Sequence, residues 1–260
     1  MSAPPAIALV VRNASHLLAP AIEGLLVQTP TPAICVLDDH SHDGTPQELE
    51  RLARLHPEVQ VRRTGGRVGP VEACRRAAAL VRELHPDAEL FAWVCSDDQP
   101  DPNWLRRLVD ALRRRGERVG ALPEGLGRPL AMRGVTDPAR RAALALAHQW
   151  PPLPTGIVFR LDAVLAAGGL RSVANPAAVL GVELALSGEL VTIDHAHYHR
   201  GAWMRGGLTE AYPNGIPVPA VLPPGAAALL SLSRHHRMGG AVLRHKLSRD
   251  LLTARRGGPR

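Results

Sequence analysis

What most constrains this chain is a rhythm in its first half: short apolar, β-branched runs alternate with segments whose apolar residues recur at helical spacing. Residues 6–11, Ala-Ile-Ala-Leu-Val-Val, make the first run. Residues 15–27 carry Leu17, Leu18, Ile22, Leu25 and Leu26 at helical intervals, and a Pro-containing break at 29–32 closes them. The alternation repeats as 33–37, 46–55, 59–62, 71–84, 90–94 and 102–115, strand then helix each time. Unbroken apolar strands need cover on both faces, and amphipathic helices between them supply it. The pattern therefore predicts βαβ units and a mainly parallel sheet.

Beyond residue 115 the spacing predicts strands at 119–122, 156–160 and 190–194, and helices at 138–148, 161–167 and 179–187. Residues 212–224 are dense in proline, and 226–254 read as two basic amphipathic helices. This divides the chain into an α/β domain over 1–210, a linker over 211–225 and a helical C-terminal appendage over 226–260. A length of 260 residues is ample for one such domain with an appendage.

Two of the apolar runs stop at paired acids. The first ends in Asp38-Asp39, followed by His40-Ser41-His42-Asp43-Gly44-Thr45; the other ends in Cys95-Ser96-Asp97-Asp98-Gln99. In an open parallel sheet the C-terminal strand ends are where ligands bind, and carboxylates there can accept from a nucleobase N–H or a ribose hydroxyl. They can also share a divalent cation with a diphosphate, for which oxygen ligands suit Mg²⁺ or Mn²⁺. Between them lies a Gly-rich turn, Gly65-Gly66-Arg67-Val68-Gly69, leading into the helix that carries Arg75. Ser41, Asp43 and Thr45 equally suit a turn and a helix cap.

Charge and composition narrow the partners. Hydrophobic residues make up 45% and charged residues 21%, a globular profile. The net charge of +7 rests on arginine, Lys246 being the only lysine, which points to an anionic partner or to a GC-rich genome. Aromatics are only 3%, with no reading motif beside the arginines, so nucleic acid is not expected. The tail sets Arg234, Arg237, Arg244, Lys246 and Arg249 against Leu229, Leu232, Leu243 and Leu247, a stripe suited to an anionic membrane surface or to packing on the domain. No apolar stretch approaches the ~18 residues needed to span a bilayer. Cys35, Cys74 and Cys95 have no metal or disulfide spacing and read as buried thiols. The expected setting is cytoplasmic, peripheral to the inner membrane face if the tail binds lipid.

Taken in order, the strand ending in Asp38-Asp39, the Gly-containing turn and Arg75, the Ser96-Asp97-Asp98 strand end, Thr155 to Arg160, Gly168-Gly169-Leu170 and Val182 to Leu186 resemble the family-2 glycosyltransferases of GT-A fold. The resemblance covers about residues 6 to 202. It implies a Rossmann-like mixed sheet flanked by helices, and inverting transfer of a sugar from a nucleotide-diphosphate donor to a saccharide or lipid-linked acceptor. It further implies that Asp38 and Asp39 hold the base, that Arg67 and Arg75 line the nucleotide pocket, that Asp97 touches the ribose and that Asp98 binds Mn²⁺ or Mg²⁺. His199, at the end of the run His195-Ala196-His197-Tyr198-His199, would approach that metal, and Trp150 falls where the family positions its acceptor. Alternation along a strand puts the three histidines on one face. Two positions depart from the family pattern. Cys95 stands where an acid is common, and Leu180-Gly181 stand where an acidic pair supplies the catalytic base. Glu183 is then the nearest candidate base, though two residues along a helix turn it about 200° away. The alternative is a catalytically impaired member that binds sugar nucleotides as a sensor or partner subunit. A nucleotidyltransferase is disfavoured, since no Gly-rich run with a basic residue lies near the first strand.

Overall fold

The computed structural model describes residues 2–126, 129–130, 132–148, 150–151, 153–171 and 175–201. The linker, the basic tail and the segment Trp203 to Gly207 lie outside the described residues. In chain order the elements are β1 (Ala6–Val11), α1 (Ser15–Leu26), β2 (Ala33–Asp38), α2 (Thr45–Leu55), β3 (Val59–Arg63), α3 (Pro70–Leu84), β4 (Leu90–Cys95), β5 (Gln99–Pro100), α4 (Trp104–Arg113), β6 (Arg118–Glu124), α5 (Pro138–Ala147), β7 (Val158–Arg160), α6 (Leu161–Ala166), α7 (Pro176–Ser187) and β8 (Glu189–His199).

The strands form one sheet in the order β3-β2-β1-β4-β7-β6-β8-β5. Strands β1 to β4 and the β6–β8 pair run parallel, while β7 is antiparallel to both its neighbours. Every residue of β1, β2 and β4 is buried, which is why these strands read as unbroken apolar runs. Their side chains alternate between two cores. Ala6, Ala8, Val10, Phe91, Trp93 and Cys95 face one core, shared with α3, α5, α6 and α7. Ile7, Leu9, Val11, Leu90, Ala92 and Val94 face the other, shared with α1, α2 and α4.

The C-terminal half differs from the sequence expectation in two places. Strand β8 continues past Asp194 to His199, through a stretch where buried Ala196 and Tyr198 alternate with more exposed polar residues and no apolar run marks it. Its register against β6 jumps from Pro123↔Ile193 to Glu124↔His197, so residues 194–196 form a bulge, and His195 turns to a φ of 58°. His195 and His197 converge on Glu124, while His199 lies against Asp101. The helix expected from 102 begins only at Trp104, because Gln99–Pro100 pair with Tyr198 and His199 instead.

Candidate functional site

The acid-bearing tips of β2 and β4 flank the end of β1 rather than lying side by side. Val11 is in register with Asp38 and Val10 with Cys95, and the Asp39 amide donates to the Val11 carbonyl at 2.9 Å. Two strand spacings, about 10 Å, therefore separate the pairs, on one edge of the sheet.

Asp38 is 1% exposed. Its Oδ1 accepts from the Ser41 amide at 3.0 Å and the Ser41 hydroxyl at 2.5 Å, and its Oδ2 lies 3.2 Å from Arg63 Nε. Asp38 and Arg63 also line a cleft of about 430 Å³ with Leu49, Glu50, Arg54 and Val61, in the size range of small-ligand pockets. Asp39 accepts from the amides of Val68 and Gly69 at 2.7 and 2.9 Å. It thereby ties down the turn holding Arg67, which is exposed, at the entrance to α3. Arg75 is bound bidentately to Glu72, at 2.7 and 2.6 Å, and this pairing holds Glu72 down to a pKa of about 2.

The β4 tip separates its two acids. Asp98 is 4% exposed and is surrounded by three donors. Oδ2 accepts from the Tyr198 hydroxyl at 2.5 Å and the Cys95 amide at 3.0 Å, and Oδ1 accepts from the Gly201 amide at 3.0 Å. Burial pushes its carboxyl above the ordinary range, against the pull of those donors. Asp97 is half-buried and packs so closely on Gly201 that a Cβ there would collide with its carboxyl carbon. Arg200, largely buried, donates to the carbonyls of Leu153 and Thr155 at 3.4 and 2.8 Å beside this pair. Cys95 remains a thiol, because burial first and the charge of Asp98 second push it well up. His199 stands opposite Gln99 and lies 3.4 Å from Asp101, apart from the other two histidines. Tyr198, Arg200 and Gly201 escaped the sequence reading; the polar–aromatic alternation over 195–199, with Arg-Gly after it, was the available signal.

The position expected for a catalytic base is filled by packing. Trp150 is 7% exposed, and a Cβ on Gly181 would run into its ring. Its indole N–H donates to the Ala145 carbonyl at 2.6 Å. Trp150 is thus a wedge between α5 and α7, and not an exposed sugar platform. Leu180 beside Gly181 is buried as well, whereas Glu183 is on the half-exposed stripe of α7 with Val179 and Leu186.

Residues 6–128 match the family model described as Glycosyl transferase family 2. Over these residues, just under half of its length, the chain is similar to glycosyl transferase family 2. The family 2 segment runs from β1 past the end of β6 and so contains both acid pairs. No curated protein matches the chain significantly. Among solved structures, the mannosyltransferase PcManGT from Pyrobaculum calidifontis, in complex with GDP-Man and Mn²⁺, is similar with a TM-score of 0.58 and 18% identity, over 99% of this chain and 77% of that one. S. aureus TarS 1-349 in complex with UDP-GlcNAc gives 0.63 and 15%, over 98% and 75%. Glucosyl-3-phosphoglycerate synthase from Mycobacterium tuberculosis, with Mn²⁺, UDP and glucosyl-3-phosphoglycerate, gives 0.51 and 16%, over 83% and 81%. At these identities the likeness carries the fold, which is GT-A.

Proposed function

We propose that this chain binds a nucleotide-diphosphate sugar across the tips of β1, β2 and β4 and, with a divalent cation, transfers the sugar to an acceptor hydroxyl with inversion. The observation that carries this reading is the presentation of two acid pairs on either side of the β1 end, in the segment that matches the family. The base would sit by Asp38, Asp39 and the turn of Arg67, with Arg75 at its border through Glu72. PcManGT and TarS, both bound to sugar nucleotides, support the donor class.

We assign the cation contact to the Asp97–Asp98 tip of β4. Asp98 receives three hydrogen bonds inside the protein and Asp97 packs against Gly201, so Tyr198 and Gly201 position the pair. His199 lies nearby through its pairing with Gln99. One or two carboxylates completed by phosphate oxygens and water suit Mn²⁺ or Mg²⁺, so the residues present fit the ion. When bound it would stabilise the charge of the departing nucleoside diphosphate. Arg200 adds fixed positive charge beside the same loop. Mn²⁺-dependent binding of UDP and GDP, measured by calorimetry, is expected to weaken about tenfold or more in Asp97→Asn. Unchanged affinity would remove the assignment.

A second reading is favoured by Trp150 in the place of the base: a member that binds the donor without efficient transfer. Donor hydrolysis or transfer that disappears in Glu183→Gln would make Glu183 the base and reject this reading. Binding without turnover in the wild type and in that variant alike would select it.

A further inference from the structure

A cluster of metal-ligating side chains lies at the tip of β6, two strands away from β4. Glu124 is the last residue of β6, and His195 and His197 come from the β8 bulge that opposes it. One potential ligand atom from each of the three lies within 4.8 Å of the others. The backbone is arranged around the carboxylate. The His195 amide donates to Glu124 Oε2 at 2.8 Å, and His197 Nδ1 lies 3.9 Å from that same oxygen.

The bulge that gathers these groups carries a conformational cost. His195 sits in the left-handed region with a φ of 58°, which a non-glycine residue adopts at the expense of about 1 kcal/mol. A regular strand would have carried the β6–β8 ladder straight through; the excursion instead brings His195 and His197 to one carboxylate. The donor set differs in kind from the β4 tip. Two imidazoles and one carboxylate suit Zn²⁺ and its borderline neighbours Co²⁺ and Ni²⁺, while Mg²⁺ prefers oxygen alone. Three protein ligands also leave a position for water or another group.

We propose that Glu124, His195 and His197 form a second divalent-cation site, of the zinc class, which pins the β8 bulge to the end of β6. The site is separate from the Asp97 loop yet mechanically joined to it. Successive strand side chains point to opposite faces, so His197 reaches the cluster while Tyr198, one residue on, reaches Asp98. A cation here would fix the register of the segment whose next residues, Tyr198 to Gly201, hold the acid pair.

The test is uptake of Zn²⁺ by the full chain, followed by calorimetry and by the visible spectrum of Co²⁺ as a substitute, in wild type, His197→Ala, Glu124→Gln and Asp97→Asn. Because the chain contains other histidines, the comparison between variants decides. The expected result is one equivalent lost, or weakened more than about tenfold, in His197→Ala and Glu124→Gln, and retained in Asp97→Asn. A low-coordinate Co²⁺ spectrum should vanish with it. Equal uptake in wild type, His197→Ala and Glu124→Gln would overturn the site, as would loss in Asp97→Asn alone or no uptake by the wild type. Far-ultraviolet circular dichroism of each variant separates loss of ligand from loss of fold. Failure of nucleotide binding would leave the site standing, since none of its three residues belongs to the donor assignment.

Discussion

The two halves of the sheet treat polar groups in opposite ways. Around β1, β2 and β4 the interior edge is acidic, and Asp38, Asp39 and Asp98 each hold a loop through short hydrogen bonds to their carboxylates. Around α5 and α7 the equivalent interior is apolar. There Trp150 lies against Gly181, and a buried cation, Arg141, donates to the carbonyls of Val135, Thr136, Ala185 and Leu186, closing the end of α7 on the start of α5. The contrast teaches that strand-tip acids are folding devices before they are ligands. Hydrogen bonds to a charged carboxylate contribute more than neutral ones, so these acids order the loops that would receive a phosphate. Where such an acid is missing, at Gly181, packing has taken the space.

The largest effect should come from removing the wedge. Trp150→Ala deletes a buried indole where Gly181 offers nothing to fill the hole, and should lower stability by about 4 kcal/mol in chemical denaturation. A loss below about 1 kcal/mol would mean that α7 is not held by this contact. Next comes Asp98→Ala, which strands the Tyr198 hydroxyl and the Cys95 and Gly201 amides and should cost about 3 kcal/mol. Asp97→Asn, next door, should cost less than about 1 kcal/mol, because the isosteric amide keeps the packing against Gly201. If denaturation midpoints ranked these two the other way, the division of labour at the β4 tip would be wrong. Tyr198→Phe falls between them at about 1 kcal/mol, since Asp98 keeps its two amide donors.

Most of the first half was legible because its strands are buried on both faces, and burial writes itself into sequence as unbroken apolar runs. The paired acids were legible for the same reason, as abrupt ends to those runs. What could not be read was which of two adjacent aspartates points inward, because that choice is made by Tyr198, 100 residues away. The continuation of β8 was hidden because no apolar run marks it, and β5 by being only two residues long and joined through backbone alone. That Trp150, at the family's acceptor position, packs and does not offer a surface to sugar had one clue in the sequence. A glycine inside a helix costs about 1 kcal/mol relative to alanine, so Gly181 called for a neighbour that needs the room.

An effect as small as that of Tyr198→Phe concerns Asp39 and bears on whether the acid edge is a framework or a ligand surface. Its carboxylate accepts from the amides of Val68 and Gly69, the two residues that precede α3, and Gly69 has a φ of 86°. The Gly69 amide, at the N-cap, is one of the N–H groups that a helix start leaves open, Val68 lies one residue before it, and α3 has no side-chain cap of its own. Asp39 therefore does a cap's work from a different element. Asp39→Ala should cost about 1 kcal/mol, the usual value of an N-cap, and should speed amide exchange at Val68 and Gly69 more than in the rest of α3. If exchange there is unaltered while nucleotide binding falls, Asp39 serves the base directly, and the contrast between the two halves rests on Asp38 and Asp98 alone.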